Sequence, residues 1–176
     1  MASLGLLGLG LLLLIVQAVL ATLVPLYAMA PNPLLPIVIY LGISSEVSIA
    51  RGALLSFALG YMLDAFVGMP IGPYTFVLVA AFLGARSAGL RLFPRGAGFQ
   101  AVLTFLISLV AGGTVLALLS MFDPRRSEPF ATGGLRANLL VCAGSAVLTA
   151  SLAPMLFSLV RRIEAWSRDA AEERAT

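Results

Sequence analysis

The sequence has no histidine and no lysine, and it has a single cysteine. Without imidazole there is no histidine general acid or base and no His-ligated metal site. The lone thiol, Cys142, can form neither an internal disulfide nor a cysteine-rich metal centre, and its place in the last apolar run suits packing. Charge is scarce as well: 11% of residues are charged and 60% hydrophobic, where soluble domains carry about a quarter charged. With a mean hydropathy of +1.04, a fold of 176 residues cannot hide its apolar surface from water. The first charged side chain is Glu46, so an uncharged stretch precedes it that is roughly twice as long as one spanning helix requires. More than one membrane span is expected within it.

What is present is a set of apolar runs separated by proline, glycine and arginine. In lipid the backbone must satisfy itself within helices or a closed barrel. Barrel strands alternate apolar and polar residues, whereas runs such as 9–16 and 77–83 are apolar on every face. The expected fold is therefore an all-α membrane protein, a compact bundle of about six transmembrane helices. Residues 1–160 form its single domain and 161–176 a short cytoplasmic helical tail.

Pro25, Pro31, Pro33 and Pro36 end the first helix near Ala28 and open a second, short one that runs from about Leu34 to Ser48. A third is expected over 51–67, closed by a turn with two Gly and two Pro in 68–73, and a fourth over 74–92. The fifth covers 99–121, and a polar loop around Asp123 and Glu128 leads to a sixth from Leu135 to about Val160. Beyond it the tail continues helically, with Glu164 and Arg168 at a favourable i,i+4 spacing and Trp166 at an interfacial position.

Arginine placement orients such a bundle. With the N-terminus inside, Arg51, Arg86, Arg91, Arg95, Arg161, Arg162, Arg168 and Arg174 are cytoplasmic, and Arg125, Arg126 and Arg136 lie outside. Eight against three argues for both termini in the cytoplasm. Because topology alone accounts for these arginines, and no stacking platform accompanies them, nucleic acid is not an expected partner; membrane lipid is. Ala28-Met29-Ala30 has the small residues of a signal cleavage site, but the apolar run before it is too long and opens without a basic residue. It is expected to be retained.

Counting in fours through the third helix gives Gly52, Ser56, Gly60, Asp64 and Gly68, continuing to Gly72. Residues at this spacing lie nearly one above another, so they form a narrow, small, polar stripe on which another helix can pack closely. Leu59, off the stripe, is expected to tolerate trimming. Asp64 must face the interior, because a carboxylate facing lipid is costly. It either serves as a proton, cation, substrate or partner contact, or holds backbone N–H groups of the following turn or a neighbouring helix end. The glycines between Gly5 and Gly10 have the wrong spacing for a dinucleotide loop, and no Ser, Thr or Arg has a catalytic companion at a usable spacing. Neither an enzyme nor a cofactor is expected.

Pro31, Asn32, Tyr40, Gly60, Asp64, Gly68 and Gly72 resemble the pattern of the rod shape-determining protein MreD family of bacteria. The specific likeness covers about 30–83, and the rest agrees in hydropathy. The resemblance implies a non-enzymatic component of the cell-elongation machinery in the bacterial inner membrane. Its partners would be MreC, the MreB cytoskeleton (indirectly) and the peptidoglycan synthase pair RodA and PBP2. That family is similar in fold to the substrate-binding subunits of energy-coupling-factor vitamin transporters, which supplies an alternative function. A vitamin pocket would call for Trp, Tyr, Asn and charged groups near the outer face, whereas the only Trp is Trp166 in the tail.

Overall fold

The computed structural model describes residues 2–23, 31–44, 47–67, 72–89, 96–122 and 134–172. Six helices follow one another: α1 (Ala2–Leu23), α2 (Leu34–Ile43), α3 (Ile49–Val67), α4 (Pro73–Gly89), α5 (Ala97–Phe122) and α6 (Gly134–Glu172). Stretches Ile49–Val67, Gly98–Leu118 and Asn138–Ile163 are long and apolar enough to cross a membrane. Gly5–Val19, Leu34–Ile43 and Pro73–Ala88 are apolar but shorter. The expected end of the first helix, the turn residues 68–71, the loop 123–133, Glu46, Arg91 and Arg95 lie outside the described residues.

The short α2 is the hub. It touches each of the other five helices, and all of its residues except Tyr40 and Ile43 are buried. Its 10 residues give about 15 Å of helix, half of a bilayer core. The expectation that it runs to Ser48 is corrected here. Ser44 turns to extended backbone while its N–H still donates to the Tyr40 carbonyl at 2.9 Å. Ser48 instead caps α3: its hydroxyl accepts the Arg51 N–H and its carbonyl the Gly52 N–H. A serine that can hold a free N-terminal N–H stabilises the start of a helix more than it does a helix interior.

Contacts fix the helix directions. Asn32 meets Thr149 and Tyr40 meets Phe157, eight residues further along both segments, so α2 and α6 run parallel. Gly52 faces Phe82 and Gly60 faces Thr75, so α3 and α4 run antiparallel. The register places Ser44 level with Arg161. One end of the bundle therefore gathers Arg51 in the first turn of α3, Arg86 in the last turn of α4, and Arg161 and Arg162 of α6. The core is apolar but includes polar side chains, and the outer surface carries large apolar ones. Ser56, Asp64, Thr75, Thr104, Ser108 and Thr149 are buried, while Leu54 (70%), Val110 (69%) and Met155 (66%) are largely exposed. α6 continues without a break past Val160 to Glu172, and it carries Pro154 inside.

Candidate functional site

α4 begins at Pro73, a residue suited to the first helical position because it has no N–H to leave unpaired. The next two residues do have N–H groups with no partner inside the helix, and α3 supplies the acceptor. Asp64, fully buried, accepts the Tyr74 N–H on Oδ1 and the Thr75 N–H on Oδ2, both at 3.0 Å. Oδ2 also accepts the Gly72 N–H at 3.0 Å and the Thr75 hydroxyl at 2.5 Å. Gly72, at φ 132, has a backbone conformation in which a side chain would be strained, and this turns its N–H toward the carboxylate. The Gly72 carbonyl then takes the Phe76 N–H at 2.8 Å as the helix starts.

Asp64 is thus an N-cap donated from a neighbouring helix, with its negative charge at the positive end of the α4 dipole. Three of the four donors converge on Oδ2, and Oδ1 accepts the fourth. Of the two roles the sequence left open, the arrangement is that of the second, in which the carboxylate holds a turn and a helix end. Among the described residues there is no group of three or more His, Cys, Asp or Glu that could hold a metal.

The rest of the stripe explains how Asp64 reaches α4. A Cβ on Gly60 would lie 2.5 Å from Thr75 Cα, so only glycine lets the two backbones come this close. One turn pair earlier, Gly52 makes room for the buried Phe82 ring. Ser56 returns its hydroxyl to the Gly52 carbonyl at 2.8 Å and adds no bulk to the seam. Gly68 lies outside the described residues.

Asn32 and Tyr40 belong to a different seam. Asn32 Oδ1 accepts the Leu34 N–H at 3.2 Å and the Asn32 carbonyl accepts the Leu35 N–H at 3.3 Å, capping α2, while half-buried Pro31 precedes it. The Asn32 N–H donates to Thr149 Oγ1 at 3.1 Å, and that hydroxyl donates onward to the Ser145 carbonyl. The Tyr40 ring stands edge-on to Phe157 with centroids 5.6 Å apart. Asn32 and Tyr40 therefore tie α2 to α6, with Pro31 preceding them, and Gly52, Ser56, Gly60, Asp64 and Gly72 line the seam of α3 with α4. The two sets are not brought together in one pocket.

Sequence reading missed Thr75 and Thr149, the partners of these seams. Each is one hydroxyl in an apolar run; the only hint was Ser145 four residues before Thr149, a spacing that puts both on one face. Compared with protein families, curated proteins and solved structures, the chain matches none of them.

Proposed function

We propose that this chain is a multi-pass scaffold of the bacterial cytoplasmic membrane, built as a bundle of the kind shared with energy-coupling-factor substrate-binding subunits. Both termini lie in the cytoplasm. In this reading it is not an enzyme. It binds MreC and, with MreB acting indirectly, helps hold the wall synthase pair RodA and PBP2 to the elongating cell wall.

The observation that carries the reading is the use of Asp64 as a cap for α4. Of the residues that resemble the MreD pattern, Gly60, Asp64 and Gly72 hold α3 against α4, and Asn32 and Tyr40 hold α2 against α6, as suits a protein that works by shape. The many large apolar side chains on the outer surface support the bilayer, since burying them in an apolar solvent is favourable. Four arginines at one end support the orientation, because arginine resists translocation.

Deletion of the gene is the test. Rounded cells with dispersed wall synthesis, normal vitamin uptake, and MreC recovered with the tagged protein from native membranes are the expected results. Rod-shaped cells with lost uptake of a small nutrient, and an ATPase pair recovered instead of MreC, would overturn the proposal in favour of a transporter subunit.

A further inference from the structure

Arg86 lies outside both seams. It sits half-buried in the last turn of α4, and its Nη1 donates to the Ser44 carbonyl just past the end of α2. Its Nε is buried with no hydrogen-bond partner. Neither α2 nor α4 contains an Asp or Glu, and the buried carboxylate of Asp64 is near the far end of α3, filled by other donors. The guanidinium is therefore drawn into the end of the bundle with a neutral carbonyl as its acceptor, and neither helix that holds it supplies a countercharge. A cation left half out of water in this way calls for an anion.

The surroundings indicate which anion. Arg161 and Arg162 are exposed at the same end, and their charge attracts anions. Beside Arg51, Ile49 (55% exposed) and Leu54 (70% exposed) present apolar surface, which acyl chains would cover and a free ion would leave bare. We propose that the Ser44–Arg86 end of the bundle is a binding site for the headgroup of an anionic phospholipid. Arg86 donates to phosphate oxygens, and Arg161 and Arg162 raise the local lipid concentration. The inference rests on the bilayer placement and not on the elongation role.

The experiment uses the full chain, purified in detergent and delipidated. It is titrated separately with phosphatidylglycerol, phosphatidylcholine and inorganic phosphate, with bound lipid counted by native mass spectrometry and the thermal midpoint followed in parallel. Phosphatidylglycerol should be retained about tenfold over phosphatidylcholine, which offers the same phosphate oxygens but whose choline cation cancels their charge beside Arg86. Arg86→Gln should lose that preference, and Arg86→Lys should keep part of it, since lysine retains the charge without the fork. Equal retention of the two lipids by the wild-type chain, or unchanged preference in Arg86→Gln, would overturn the site. Stabilisation by inorganic phosphate equal to that by phosphatidylglycerol would overturn the lipid as its source. Because Arg86 also holds the end of α2, the exposed pair Arg161→Gln and Arg162→Gln serves as a second variant, expected to weaken the preference severalfold; an unchanged preference there would remove the proposed field. A chain that stays dissolved without detergent would overturn the bilayer placement itself, an outcome distinct from each of these.

Discussion

Leu59 of α3 fills the space that Gly10 leaves open on α1: a Cβ on Gly10 would overlap Leu59 Cδ2. Leu59 is itself fully buried, so the expectation that it tolerates trimming is corrected. Lying off the small-residue stripe does not expose it, because α1 covers that side of α3. Leu59→Ala should cost about 2–5 kcal/mol, and Gly10→Leu should separate α1 from α3. Thermal midpoints in detergent check both; a Leu59→Ala midpoint equal to wild type would mean that α1 does not pack there.

Gly60→Ala should be destabilising although it adds a single methyl group, because the atom it meets is the backbone of Thr75 and cannot rotate away. A cost of about 1–3 kcal/mol is expected, against almost none for Gly84→Ala, where nothing lies within 4 Å of the added carbon. The comparison of the two midpoints is the measurement. Gly84→Ala being the worse variant would place the close contact on the wrong seam.

Asp64→Asn and Asp64→Ala should separate by degree. An asparagine can keep its oxygen at the Oδ2 position, where three donors converge, while its amide faces the Tyr74 N–H and loses one bond. Alanine leaves all four donors unpaired. At about 1–3 kcal/mol per buried group left without a partner, Asn should reduce folded yield in membranes and Ala should nearly abolish it. Equal, normal yields of both, combined with loss of rod shape, would mean that the charge acts on something outside the fold.

Thr149→Val tests the join between α2 and α6. It keeps the side-chain shape but removes the acceptor for the Asn32 N–H, so a loss of about 1–3 kcal/mol is expected. Thr114→Val removes a hydroxyl bonded only to the Val110 carbonyl in its own helix, and should be close to neutral. Similar midpoints for the two variants would remove Thr149 from the seam.

Reporter fusions after Pro94 and after Arg168 should both report cytoplasm, and one near Glu128 the outside, following the arginine distribution. An outside signal from the fusion after Arg168 would mean an odd number of crossings. That outcome would also detach the arginine end from the cytoplasmic leaflet.

The sequence by itself determined that the chain is helical, where α3 and α5 begin and end and where α2 and α4 begin to within a few residues, and which face of α3 turns inward. Apolar runs, proline breaks and a four-residue spacing of small side chains are local signals, and backbone geometry converts them directly into helices and faces. Where α2 stops was decided by competition: Ser48 could end one helix or begin the next, and its hydroxyl and carbonyl went to α3. The role of Asp64 was likewise open until α4 arrived, because a buried carboxylate is equally fit for an ion or a helix end, and only the placement of Gly72, Tyr74 and Thr75 around it made it a cap. Thr149, Leu59 and Arg86 gained their significance in the same way. Each meets a partner distant in sequence, at Asn32, Gly10 and Ser44, and a pairing of that kind depends on how helices pack and not on the pattern within any one of them.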